Sequence, residues 1–174
     1  MLSKIFKPYR LTLIPLLALL LALLPAYSAD SPFLSEKEIN GDGKTLLMVF
    51  TKDDCNSCRI LETSLTENAA IQGFLILNFA PYLINIDDKS RYAAPHLGLV
   101  GVTPPDLARL YGLNALPAMV FVDMESREIL RVMGFPGEKR IIRLLEFIHN
   151  DLWKQFDTTK ERVEAFLNYE KANS

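Results

Sequence analysis

The chain contains only two cysteines, and they stand three positions apart as Cys55-Asn56-Ser57-Cys58. A disulfide that closes so short a ring constrains the unfolded chain little, so it contributes little stability. Such a bond therefore cannot be what stabilises the fold. A C-x-x-C pair is typical either of redox chemistry or of half a metal site, and the surrounding sequence has to distinguish the two.

The cysteine pair lies between a strand pattern and a helix pattern. Residues 45–50 form a continuous apolar run of strand length, as in a strand buried on both faces. Polar residues 51–54 end that run, and apolar residues recur at helical spacing from Ile60 onward. This order places Cys55 at or just before a helix N-terminus. The partial positive charge and unpaired N–H groups of a helix N-terminus favour a thiolate over a thiol.

The remaining patterns predict an α/β protein. Strands are predicted over residues 82–86, 118–123 and 128–133, and helices over residues 69–75, 107–111, 138–148 and 158–167. Residues 35–38 fit a short helix start of the capping-box type. Residues 87–103 lack periodicity, which indicates a surface insertion. The order of elements predicts a mixed sheet with helices on both faces.

These residues together resemble the thioredoxin fold. A buried strand leads into C-x-x-C at a helix start, and Pro117 opens the hairpin strand some 60 residues later. The insertion, and Asn85-Ile86-Asp87 at the end of the preceding strand, resemble exported SoxW-type thioredoxin-like proteins. The resemblance covers about residues 40–150. It implies a three-layer α/β/α fold with a mixed central sheet, to which this chain adds a C-terminal helix.

The resemblance also implies thiol–disulfide exchange. Cys55, the more N-terminal thiol and the one expected to be more exposed, is the candidate nucleophile that forms a mixed disulfide with a protein substrate. Cys58, one turn into the helix, is expected to resolve that intermediate. Leu116-Pro117 matches the cis-proline loop of the family, which implies a cis peptide bond and substrate binding by the Leu116 backbone. No cofactor is expected.

Three departures from the thioredoxin pattern concern this site. Asp54 replaces the aromatic residue before the first cysteine, and Asn56-Ser57 replaces Gly-Pro between the cysteines. Val49 occupies the strand position at which thioredoxin carries a buried aspartate. Proton transfer would then fall to water or to a surface carboxylate such as Asp53 or Asp54.

The charges around the pair favour a reductant or isomerase-like exchanger over a primary oxidase. A low thiolate pKa stabilises the reduced form and makes the disulfide a strong oxidant. Here no histidine lies between the cysteines, and Asp53 and Asp54 oppose thiolate formation. Lys52 and Arg59 act in the opposite direction.

Two alternatives come from other functional classes. The chain has only two histidines, and His96 in the insertion would complete a copper site with Cys55 and Cys58. His149 lies on the exposed side of a helix pattern. Alternatively, the apolar stripe of the last helix would hold a partner protein, with the thiols incidental.

The first 28 residues resemble a secretory signal peptide. Three basic side chains precede an apolar run of about 15 residues, and the small residues Ala26 and Ser28 follow it. The run is shorter than the roughly 20 residues of a membrane-spanning helix. An uncleaved anchor remains the alternative. A periplasmic location is therefore expected, and the exchange chemistry implied by the resemblance adds an upstream electron donor in the membrane.

Composition limits the partners and sets the domain boundaries. Removing residues 1–28 takes away three of 19 basic residues and none of the 21 acidic ones, which leaves a net charge of about −5. This charge argues against nucleic acid or an anionic membrane as a partner. The expected order is a signal peptide over 1–28, a polar segment over 29–43, a thioredoxin-like domain over 44–156 with its insertion at about 87–103, and a C-terminal helix over 157–174.

Overall fold

The structure is a computed structural model, and it describes residues 31–173. The predicted signal peptide over residues 1–28 lies outside the described residues. Between residues 31 and 173, no helix combines the length and the apolar character that crossing a membrane requires.

Six strands and five α-helices form this part of the chain. The strands are β1 (Thr45–Thr51), β2 (Phe79–Asn85), β3 (Tyr92–Ala94), β4 (Leu99–Val102), β5 (Ala118–Val122) and β6 (Glu128–Met133). The helices are α1 (Asn56–Glu67), α2 (Ala69–Asn78), α3 (Pro104–Leu110), α4 (Glu138–His149) and α5 (Thr159–Ala172). The predicted strand at 82–86 therefore begins earlier, at Phe79, and the other predicted helices and strands lie close to their observed positions.

The central sheet has four strands in the order β2-β1-β5-β6. β1 and β2 run parallel, whereas β5 is antiparallel to both β1 and β6. A parallel pair needs a crossover connection, and α1 and α2 provide it here. In this register Thr51 pairs with Asn85, and Phe50 pairs with Ala118. The carboxyl ends of β1 and β2 and the start of β5 therefore meet at one edge of the sheet.

Side chains alternate along β1 between two buried clusters. Val49 and Leu47 belong to the larger cluster, which also contains core residues of α1, α2, α4 and α5. Met48 and Phe50 belong to the cluster on the other face, which contains core residues of α3 and of the insertion. Both faces of β1 are covered, which explains its continuous apolar sequence. The fold is the predicted α/β thioredoxin-like architecture with a C-terminal helix.

The segments at both ends of the predicted domain pack onto it. The expected helix start at residues 35–38 is wrong: these residues form no helix, and parallel bridges join Leu34 to Tyr82 and Glu38 to Ala93. In α5, Phe166 is only 4% exposed within the larger core cluster. The polar segment after residue 30 and the last helix are thus structural parts of one unit.

The insertion over residues 87–103 is more regular than its sequence indicates. It contains the antiparallel pair β3–β4 and a single 3₁₀ turn, Pro95–Leu97. Tyr92 and Ala94 are buried in the core cluster on the α3 side of the sheet. Strands of three and four residues are too short to show a periodic pattern, so the sequence alone indicated only a loop.

Candidate active site

Cys55 is the N-cap of α1 and forms a disulfide with Cys58, with the two Cα atoms 5.2 Å apart. The Cys58 backbone N–H donates to Cys55 Sγ across 3.2 Å. The Ser57 hydroxyl lies 3.5 Å from the same sulfur. Cys55 Sγ thus occupies the place of the side-chain oxygen in an ordinary N-cap, where the free N–H groups of the first turn point.

The two cysteines differ in exposure, as the sequence predicted. The Cys55 residue is 8% exposed and Cys58 is 1% exposed. Disulfide exchange requires an incoming thiolate to reach one sulfur, and Cys55 is the one nearer solvent. Its assignment as the attacking thiol, with Cys58 as the resolving thiol, stays a prediction.

Hydrogen bonds hold the loop before Cys55. The side-chain amide of Asn85 donates to Asp53 Oδ1 across 2.7 Å, and the Asp53 backbone N–H donates to Asp87 Oδ2 across 2.9 Å. Asp54 is exposed and has a φ of 50°, in the left-handed region. Asp53 is therefore hydrogen-bonded to residues at the end of β2. Among residues 31–173, no hydrogen bond joins Asp54 to either cysteine.

The interior behind the disulfide is apolar. Val49 is fully buried in the same cluster as Leu61 and Leu65 of α1. Asp123 is the only buried carboxylate among residues 31–173, and it pairs with Arg127 at the end of β5, away from the cysteines. The structure thus agrees with the expectation that no buried acid lies beneath this C-x-x-C pair.

Glu62 is a site residue that the sequence analysis did not single out. It lies one turn after Cys58 on α1, is partly buried, and lines the same pocket of about 360 Å³ as both cysteines. Side chains four residues apart on a helix share one face. The spacing between Cys58 and Glu62 was therefore a usable signal in the sequence.

The Leu116–Pro117 peptide bond is cis, as the resemblance implied. The Pro117 carbonyl accepts from the Gly134 N–H across 2.7 Å, which fixes the loop to the end of β6. Within residues 31–173, no hydrogen bond involves the backbone of Leu116. A pocket of about 390 Å³, whose lining includes Leu116 and Leu113, lies beside this loop. Lys52 borders both this pocket and the disulfide pocket.

The structure does not bring His96 together with the cysteines. His96 lies in a pocket with Leu46 and Val122, at the amino end of β1. Cys55 follows the opposite end, and a strand rises about 3.3 Å per residue, so the two ends are on the order of 16 Å apart. In the described part of the chain, no three His, Cys, Asp or Glu side chains are grouped to hold a metal. The copper alternative built on Cys55, Cys58 and His96 is therefore wrong.

Each histidine has a structural contact instead. His96 Nε2 lies 2.8 Å from the Tyr111 hydroxyl, and the two rings stack. Burial lowers the pKa of His96, while the backbone carbonyl of Ile39 acts in the opposite direction. His149 is exposed, as predicted, and packs edge-on against Phe74.

The sheet order, the disulfide at the start of α1 and the cis-proline loop at the same end of the sheet define a protein with the thioredoxin fold and a redox-type cysteine pair. A family model described as a thioredoxin-like domain matches residues 33–149. The chain belongs to this thioredoxin-like domain family. No curated protein matches the sequence significantly.

Solved structures support the same fold. A thioredoxin-fold protein from Helicobacter pylori has a TM-score of 0.75 and 18% sequence identity, covering 84% of this chain and 94% of that one. A thioredoxin from Thermus thermophilus has a TM-score of 0.51 and 17% identity, covering 63% of this chain and 77% of that one. These identities are low, so the likeness concerns the fold alone.

Proposed function

We propose that this protein is a thiol–disulfide oxidoreductase that reduces protein disulfides through the Cys55/Cys58 dithiol. The single observation that carries this proposal is the position of the disulfide, with Cys55 as the N-cap of α1 at the sheet edge where Pro117 directly precedes β5. In the reaction, the Cys55 thiolate attacks a substrate disulfide and one substrate thiol leaves. Cys58 then attacks Cys55 Sγ and releases the second substrate thiol.

The client is proposed to be a polypeptide. An extended substrate chain carries unpaired backbone N–H and C=O groups, and the unbonded Leu116 backbone offers the matching groups at the same end of the sheet as the disulfide. The adjacent pocket provides room for an apolar substrate side chain. The net charge of about −5 without residues 1–28 gives no support to nucleic acid as a partner.

The setting is proposed to be the bacterial periplasm, with an electron donor in the membrane that reduces the Cys55–Cys58 disulfide after each cycle. The signal-like residues 1–28 and the features shared with SoxW-type proteins support this location. The acidic residues next to the pair support the reducing direction. A measured reduction potential above about −150 mV, near that of a strong periplasmic oxidant, would instead assign the oxidising direction.

The experiment that tests the activity is reduction of insulin by dithiothreitol, with the protein as catalyst. The wild type should accelerate insulin precipitation, and Cys55→Ser should abolish the acceleration because the mixed disulfide cannot form. Cys58→Ser should trap covalent adducts on Cys55, detectable on a non-reducing gel and removed by dithiothreitol. The proposal fails if Cys55→Ser retains the wild-type rate.

A further inference from the structure

Resolution of the mixed disulfide requires a base for Cys58. Cys58 is only 1% exposed, and burial of a thiol disfavours its ionised form. A free cysteine with a pKa of about 8.5 is already mostly protonated at neutral pH. Attack by Cys58 therefore needs a group that takes its proton.

The carboxylates suggested by the sequence are poorly placed for this task. Asp53 already accepts a hydrogen bond from Asn85 at 2.7 Å. Asp54 precedes Cys55 in an exposed, left-handed turn. Both lie on the loop that leads into α1, whereas Cys58 is one turn inside the helix. Val49 fills the interior position behind it.

Glu62 has the position and the freedom that the others lack. It follows Cys58 by four residues, so the two Cβ atoms are about 5–6 Å apart on one face of α1. Helical side chains lean toward the N-terminus, which directs Glu62 toward Cys58. Within residues 31–173 its carboxylate has no hydrogen bond or ion pair, and Arg59, the nearest cation on the helix, donates instead to Asn56 at 3.4 Å.

We infer that Glu62 accepts the proton of Cys58 when the mixed disulfide is resolved. This inference rests on the proposed function. Both residues line one pocket of about 360 Å³, which is polar and large enough to admit water that could relay the proton. The Cys58 proton passes to the Glu62 carboxylate, and the Cys58 thiolate attacks Cys55 Sγ. The Cys55–Cys58 bond forms, the Cys55–substrate bond breaks, and the departing substrate thiolate takes the proton back.

The test separates the two steps of exchange. Reduced protein is mixed with a disulfide-bonded peptide and quenched with acid at successive times, and mass spectrometry measures the mixed disulfide and the closed Cys55–Cys58 product. Wild type, Glu62→Gln and Glu62→Asp are compared between pH 6 and pH 10. Glu67→Gln, which removes an exposed charge from the end of the same helix, is the matched control. Thermal unfolding checks that all variants fold alike.

Glu62→Gln is expected to slow closure about 10-fold or more at pH 7, since a positioned base contributes 10²–10⁴-fold to proton transfer. Formation of the mixed disulfide should not slow. The difference should shrink as the pH rises past the thiol pKa, and Glu62→Asp should recover part of the rate. Glu67→Gln should match the wild type.

The sign of the effect separates proton transfer from simple electrostatics. Removing a negative charge near a thiol favours the thiolate, so a purely electrostatic role predicts faster closure in Glu62→Gln. Closure at or above the wild-type rate at pH 7 would overturn the inference while leaving the proposed function intact. If the wild type forms neither the mixed disulfide nor the closed Cys55–Cys58 product, the proposed function fails, and the inference fails with it.

Discussion

The backbone N–H of Cys58 donates a hydrogen bond to the sulfur of Cys55 across 3.2 Å, so the residue proposed to resolve the mixed disulfide also contacts the sulfur that it would attack. Only the Cys55 sulfur accepts such a bond, because Cys55 is the N-cap of the helix and Cys58 lies within its first turn. Cys55 Sγ faces the positive end of α1 and its residue is 8% exposed, whereas Cys58 is only 1% exposed. The same C-x-x-C spacing thus gives its two sulfurs different environments.

This asymmetry predicts that the two reduced cysteines ionise at different pH values. In Cys58→Ser, the remaining Cys55 thiol should have a pKa below the ordinary value of about 8.5, because the helix N-terminus stabilises its thiolate. In Cys55→Ser, the buried Cys58 thiol should have a raised pKa. The pH dependence of iodoacetamide alkylation in each variant measures both values. Equal profiles, or an earlier reaction of Cys58, would contradict the assignment of Cys55 as the nucleophile.

Leu116→Asp should weaken binding of protein substrates without impairing the cysteines. The change places a charge in the pocket beside the cis-proline loop, and loss of an apolar contact worth about 1–2 kcal/mol corresponds to about a 5–30-fold effect. We expect KM for insulin to rise by that factor, while the rate with a small aromatic disulfide changes little. Leu110→Asp, at a position 60% exposed on α3 and outside this pocket, is the control. Equal effects of the two variants would exclude substrate binding at Leu116.

The C-terminal helix should contribute directly to stability. Phe166 is 4% exposed and its ring lies 5.6 Å from that of Phe147 on α4. Phe166→Ala should lower the free energy of unfolding by about 3–5 kcal/mol, the usual cost of a buried phenylalanine. Its neighbour Leu167 is 37% exposed, so Leu167→Ala should cost about 1 kcal/mol or less. Urea denaturation measures both. Similar small losses would mean that the packing of Phe166 against the core contributes little to stability.

The local features of the site were predictable from the sequence. The apolar run at residues 45–50 indicates a buried strand from local sequence alone. The helical spacing of apolar residues after Cys58 likewise indicates a helix. Val49 shows directly that no acid lies in that strand position. The cis Leu116–Pro117 bond was implied by the resemblance, since composition alone carries no signal for it.

The features that the sequence did not predict depend on contacts between distant residues. Leu34 and Glu38 form bridges to Tyr82 and Ala93, and nothing within residues 35–38 distinguishes such an edge segment from a helix start. The alternative copper site joined His96 to the cysteines because the insertion that carries it has no fixed position in the sequence, but the sheet register places His96 and Cys55 at opposite ends of β1. Glu62 was detectable from its spacing to Cys58, yet its significance depends on a pocket that only the fold defines.

His96 should make stability depend on pH even though it is remote from the disulfide. Burial lowers its pKa in the folded state, so near and below its ordinary value of about 6.5 the unfolded chain binds more protons than the folded one. The stabilisation that the buried neutral His96 contributes is therefore complete above about pH 6.5, and it is lost as the pH falls and the ring of the unfolded chain takes up a proton. His96→Gln should reduce the loss of stability between pH 7 and pH 5 relative to the wild type, as measured by urea midpoints. His149→Gln, at the exposed second histidine, is the matched control and should follow the wild type. If His96→Gln loses stability as steeply as the wild type, the buried contact with Tyr111 is not the source of the acid sensitivity.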